Sequence, residues 1–325
     1  MWPMRTKRRR LVGLGLVLAL VALTSQWSAQ ADPFYPYPGL PEASFEHGGW
    51  AITSQVGISE TAKARQWVRA PALSAASWVG PEDTVLNPEP GVKYRYYQKA
   101  DVAFVSPPGY EEGYGHLEPL VVRTVGFGMV PIEATVQVSQ RRADGRPIPI
   151  HVVVQQDVVA NDDWVFKDAH VTDSFELQVS KVVIDGVDIG LTGRCHTATP
   201  APVDLRGSGF TIPKAVQNGS DAAIRAFLAA KEPGSYFHPV YGGQLQGSIE
   251  IPAFTGCTTA SGDDLSAMFT ASVSGTGNQV IFRTNVVCQI KKAGSNRDWP
   301  PAPGENTPAR TGCAAPQPID YPARP

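Results

Sequence analysis

In several runs between Ile132 and Leu191 apolar residues recur at every second position, and Asp-Gly pairs punctuate them at residues 144–145 and 185–186. Ile132, Ala134, Val136 and Val138 alternate with Glu133, Thr135, Gln137 and Ser139. A period of two sends one set to a core and the other to water, which describes a half-buried strand. Asp144-Gly145 follows, and Ile148, Ile150, Val152 and Val154 alternate beyond it, so residues 131–156 are predicted to form a hairpin. A second hairpin is read where Phe175, Leu177, Val179, Val182 and Ile184 lead into Asp185-Gly186, with Val187, Ile189 and Leu191 leaving it. Asp-Gly suits a type I′ turn because both central residues take positive φ, which glycine accepts freely and aspartate tolerates.

The same reading places strands at residues 244–251, 269–274 and 279–289, with Gly275-Thr276-Gly277-Asn278 as a connecting turn. A helix is expected from Asp221 to Lys231, behind an N-cap at Ser220 and before Pro233-Gly234, and a shorter one from Ser59 to Val68. Short strands, turn signals and no βαβ alternation predict an all-β chain, an antiparallel β-sandwich or barrel-like fold with one short helix and disordered termini. Residues 32–119 form a region rich in proline and aromatics, residues 120–290 the sandwich-like domain, and residues 291–325 a disordered Pro-rich tail.

Residues 1–31 read as a signal peptide. A basic cluster at Arg5, Lys7, Arg8, Arg9 and Arg10 precedes a 13-residue apolar run, Leu11 to Leu23, and Ala29-Gln30-Ala31 supplies small residues for cleavage. As a helix that run spans about 20 Å, short of the roughly 30 Å of a bilayer core. No transmembrane helix is therefore expected after cleavage, and the protein should be secreted or held in the cell envelope. Taking the five basic residues of this segment from the 28 in the chain leaves 23 against 30 acidic residues, a net charge of −7. Such a balance has no bulk attraction for phosphate backbones, so no nucleic acid partner is expected.

Cys195, Cys257, Cys288 and Cys313 lack C-x-x-C spacing, and in an exported chain they read as two disulfides. Three pairings are possible. Cys257 with Cys288 is preferred because the two flank a strand-turn-strand reading, which leaves Cys195 with Cys313.

No G-x-S-x-G, H-E-x-x-H, Walker or EF-hand pattern occurs, so no catalytic residue and no cofactor is assigned. Two candidate binding sites remain. Tyr94, Arg95, Tyr96 and Tyr97 interleave a base with aromatics, a composition suited to stacking on sugars. Asn161, Asp162 and Asp163 offer neighbouring oxygen ligands for a calcium ion, set against an ordinary solvated turn.

Val122-Arg123-Thr124-Val125-Gly126-Phe127-Gly128, Ile251-Pro252-Ala253-Phe254-Thr255-Gly256-Cys257 and Thr270-Ala271-Ser272-Val273-Ser274-Gly275 resemble segments of uncharacterised exported β-rich proteins of actinobacteria. That resemblance implies an extracellular or envelope location and supplies no activity. The expected function is a non-enzymatic structural or binding role, with cell-wall glycan or another envelope protein as partner. The alternatives are an envelope carrier or pore-like β-barrel, and a hydrolase whose residues are distant in sequence.

Overall fold

The computed structural model describes residues 40, 44, 48–110, 113–126, 130–192, 194–217, 219–292, 306–308 and 313–322. The signal segment therefore lies outside the described residues.

Its main feature is one curled antiparallel sheet. β1 (Gly49–Thr61), β2 (Gln66–Glu89) and β3 (Val92–Phe104) form a meander, followed by β4 (Leu120–Gly126) and β5 (Val130–Gln140). A small hairpin, β6 (Arg142–Ala143) and β7 (Arg146–Pro147), leads to β8 (Ile150–Val159) and β9 (Trp164–Phe166). The long β10 (Ala169–Ile184) is followed by β11 (Val187–Asp188), β12 (Cys195–Thr197), β13 (Ala201–Gly207) and β14 (Phe210–Ile212). Helices α1 (Lys214–Gln217) and α2 (Asp221–Ala229) precede β15 (Phe237–His238), β16 (Gly242–Ile251) and β17 (Phe254–Thr255). Helix α3 (Ser266–Val273), β18 (Gly275–Thr284) and β19 (Gln289–Lys292) complete the set.

Hydrogen bonding runs in the order β4, β5, β10, β13, β16, β18, β1, β2, β3, β8, every pair antiparallel. The ends of this series come back on its middle: β8 packs beside β10, and β4 approaches β2. β5 borders the C-terminal half of β10 and β8 lies by its N-terminal half, so the sheet curls into a barrel-like form with two seams that carry no ladder.

Both Asp-Gly turns occur as expected, with φ of 49° and 78° at Asp144 and Gly145 and of 49° and 80° at Asp185 and Gly186. The second hairpin forms, but the first is confined to β6 and β7. Beyond that turn β5 pairs with β4 and β10 while β8 pairs with β3, so the predicted 131–156 hairpin is corrected to two strands with different neighbours. A bulge between Val179 and Lys181 on β10 explains why Val179 and Val182 are three apart: the extra residue resets the alternation and keeps Val182 and Ile184 facing inward.

Three other expectations are corrected. Residues 59–68 form the β1–β2 turn and its flanking strands, because β1 and β2 find ladder partners that outweigh local helical propensity. Residues 266–273 are helical: Leu265, Met268, Phe269 and Val273 recur at spacings of three and four, and Asp264 Oδ1 accepts the Ser266 N–H at 2.9 Å. β18 then begins at Gly275, where a turn was expected. Helix α2 starts behind Ser220 as predicted.

Residues 32–119 supply three strands of the common sheet. The described part of the tail, residues 306–308 and 313–322, lies along it. Prolines deprive this segment of N–H groups, so it offers carbonyls and the sheet supplies the donors. Arg69 donates to Ile319 O at 2.8 Å, Arg283 to Gln317 O and Pro318 O at 3.2 and 3.1 Å, and Asn285 and Ser54 to Ala314 O. The segment acts as a strap over the outer face, with Arg69 also lying over the Tyr321 ring.

All four cysteines are in disulfides, but the preferred pairing is overturned: Cys195 bonds Cys257, and Cys288 bonds Cys313. β12 pairs with β17, His196 opposite Thr255, which sets Cys195 beside Cys257. Cys288 meanwhile faces the strap.

Candidate functional site

The inward residues of the curled sheet do not fill it. A cavity of about 340 Å³ lies between β4, β5, the C-terminal half of β10, β16, β18, β1, β2 and helix α3. Ile132, Ala134, Val136 and Val138 of β5 and Leu120 and Val122 of β4 all point into it. These residues are only half-buried, whereas Val171, on the half of β10 away from this cavity, is 2% exposed. Ile132, Ala134 and Val136 pack in part against the cluster of Val179, Val182 and Phe269, and the rest of their inward surface meets the open space.

A smaller cavity of about 70 Å³ continues the interior toward β3 and β8. Phe104, Phe175, Val203 and Phe282 border both spaces. Phe104 and Phe175 stack with ring centroids 6.0 Å apart.

Among the described residues, no charged side chain lines either space. The polar groups of the larger one are the hydroxyls of Ser59, Thr61, Thr124 and Ser272. Thr61 and Thr124 stand near the strand ends farthest from the small cavity, and Ser272 lies on α3. The C-terminal part of α3 covers this end, with Met268, Phe269, Ser272 and Val273 turned inward. The Cys195–Cys257 bond belongs to the apolar cluster on which Phe269 and Phe254 pack, so it ties the roof to β12 and β17.

The outer face has the opposite character. Glu133, Thr135, Gln137 and Ser139 on β5, His170, Thr172, Glu176 and Ser180 on β10, and Gln246, Ser248 and Glu250 on β16 alternate with the inward apolar set. An apolar interior inside a polar exterior inverts the pattern of a membrane-spanning barrel, which is apolar outside. Among the described residues, no helix is long and apolar enough to cross a membrane.

The residues singled out from sequence sit elsewhere. Tyr94 and Tyr96 share one face of β3, their rings 6.3 Å apart; Tyr94 is 41% exposed and lies opposite the exposed Leu86. Arg95 and Tyr97 occupy the other face, so the four do not form one patch. Arg95 is engaged in structure: Nε donates to Asp157 Oδ1 at 2.7 Å, and a terminal nitrogen donates to Asp157 Oδ2 at 3.0 Å and Glu89 Oε1 at 2.7 Å. These hydrogen bonds raise the guanidinium pKa and lower that of Asp157.

Asn161, Asp162 and Asp163 form the β8–β9 turn, with Asp162 at φ 68°. Asp162 accepts from Lys214 Nζ at 2.6 Å and from Lys93, which hold its carboxyl down at about 2. Asp163 takes the Lys214 backbone N–H at 2.8 Å and the Asn161 amide at 2.8 Å. The oxygens proposed as calcium ligands thus bind ammonium and amide donors. Among the described residues no group of three or more His, Cys, Asp or Glu is placed to hold a metal ion.

A His–Asp pair that sequence reasoning missed lies on the outer face of β3 and β8: His151 Nδ1 is 2.6 Å from Asp101 Oδ1, and Asp101 Oδ2 accepts the Ser44 N–H at 2.5 Å. Neither residue lines either of the two cavities described above. The apolar cavity was also missed, although the β5 alternation that lines it was read. No family model, curated protein or solved structure matches this chain.

Proposed function

We propose that this is an exported, non-catalytic carrier that holds an aliphatic chain inside its curled sheet. The supporting observation is the cavity of about 340 Å³ with no charged lining residue among those described. Left dry and empty, a void of that size would cost on the order of 8 kcal/mol at about 24 cal/mol per Å³. That is comparable to the whole stability of a typical domain, about 5 to 15 kcal/mol. A ligand that replaces the missing packing relieves this cost. The volume lies at the lower end of the roughly 300 to 1,000 Å³ common for small-molecule sites, which suits one chain better than a two-chain lipid.

Export is supported by the signal-like first 31 residues and by two disulfides, which persist in oxidising compartments. Membership of the exported actinobacterial group rests on the three sequence segments alone. The polar outer face favours a soluble carrier over a pore.

Titration of the delipidated protein with dodecanoate, read by displacement of anilinonaphthalene sulfonate and by calorimetry, tests the proposal. Saturable one-to-one binding supports it; absence of binding to any chain length defeats it.

A second reading rests on the exposed aromatic surface of Tyr94 and Tyr96 beside Leu86. It offers stacking faces to cell-wall glycan. Retention of the protein on purified wall polysaccharide, lost in Tyr94→Ala, would support this reading, and equal elution of both proteins would remove it.

A further inference from the structure

We infer that Phe104, Phe175 and Phe282 form a partition that limits how long a chain the cavity accepts, an inference that rests on the carrier reading above. The geometry points to this role because the three rings, with Val203, border both spaces, and no other residue stands on both sides. The Phe104 and Phe175 rings stack at 6.0 Å and are 2% and 6% exposed, so they are held rigidly by the core around them. Phe282 closes the partition from the opposite wall. Its ring lies over Gly57, the residue paired with it across β1 and β18, and a Cβ at position 57 would come within 2.9 Å of the ring edge. Glycine there leaves room for the ring to pack directly on β1.

The space behind the partition is also mainly apolar, lined by Ala100, Val102, Ile150, Val152, Val171 and Leu205. Its wall on β1, β2 and β18 carries Thr53, Gln55, Ser77 and Thr284, and Gln55 donates its amide to Thr53 Oγ1 at 3.3 Å. Chain length is therefore set by the rings as a barrier. With the methyl end stopped at the rings, the head group lies at the Thr61, Thr124 and Ser272 end, where the lining hydroxyls are.

The test compares octanoate, dodecanoate, hexadecanoate and octadecanoate on the full protein and on Phe175→Ala. Joining the two spaces lets the longer chains place about two further methylenes, which should raise the ratio of hexadecanoate to dodecanoate affinity by about tenfold. Phe282→Leu opens the partition from the other wall with less loss of packing, and should shift the preference the same way. Near-ultraviolet circular dichroism and Tm establish that each variant is folded. An unchanged length profile in a folded variant overturns the partition while leaving the carrier reading intact. If the unaltered protein binds no chain of any length, the carrier reading fails first and the partition falls with it.

Discussion

Cys195 and Cys257 join β12 to the loop that enters helix α3, so one covalent bond anchors the roof of the apolar cavity. The bond closes a sequence separation of 62 residues. On the chain-entropy model a loop of that size is worth about 4 kcal/mol. Cys195→Ser with Cys257→Ser should lower stability by roughly that amount in denaturant unfolding. Dissociation of a bound chain should also quicken as α3 loosens. Equal off-rates in the two proteins would mean that the roof does not control release.

Filling the cavity separates ligand binding from folding. Val136 lines the open space and packs only in part against the cluster of Val179, Val182 and Phe269, so Val136→Trp adds volume mainly into that space. Binding of dodecanoate should weaken by more than about tenfold while Tm stays within a few degrees or rises. A marked fall in Tm would show that the space is narrower than described.

His238 is the buried titratable group with the clearest consequence for pH. Packed against Phe166, Phe210 and Tyr241, it accepts the Val240 N–H on Nδ1 at 3.0 Å, which requires that nitrogen to be unprotonated. Burial pushes its pKa down to about 3 from 6.5. The unfolded chain then binds the proton more readily, so the stability contribution is complete above about pH 6.5 and is lost as pH falls toward 3. The unfolding midpoint should decline across that window. His238→Gln, which keeps an acceptor but does not titrate there, should flatten the decline; an identical slope in both proteins would assign the effect to the carboxylates.

Asp157, almost fully buried, depends on Arg95 for its charge. Asp157→Asn should lower Tm by about 5 °C, because the guanidinium loses an ionised partner inside the β2–β3–β8 sheet. The carboxyl is held below its ordinary value by the Arg95 hydrogen bonds. Its contribution is therefore present above the usual aspartate range and disappears as pH falls through the depressed value. Thermal scans of both proteins at neutral and acid pH should converge at the acid end.

The strap offers a test by proteolysis. Cys313→Ser removes its covalent tie to Cys288, leaving the carbonyl contacts to Arg69 and Arg283. Limited proteolysis should then remove the C-terminal segment well before the sheet is cut. Resistance equal to the parent protein would show that the hydrogen bonds suffice.

Much of this architecture was legible in the chain because its signals are local. The β5 alternation, both Asp-Gly turns and the start of α2 at Asp221 each depend on a few adjacent residues, and each appears where it was read. The errors share a different cause. Residues 59–68 and 266–273 carry weak local signals, and their conformations were settled by distant ladder partners and by the apolar wall that α3 covers. The contacts of the described tail residues were not legible, because proline content predicts poor self-bonding but says nothing of arginine donors some 35 to 250 residues away.

By itself the sequence determined which residues face inward, since the period of two belongs to the pleat of any strand whatever its neighbours. It also supplied four cysteines without C-x-x-C spacing, which the structure joins in two disulfides. Only the tertiary structure decided that β5 and β8 part at Gln140 to take different partners, that Cys195 meets Cys257, and that the inward row of β5 lines an open space. Strand pairing and cavity shape depend on contacts between residues far apart in the chain, and no local pattern records them.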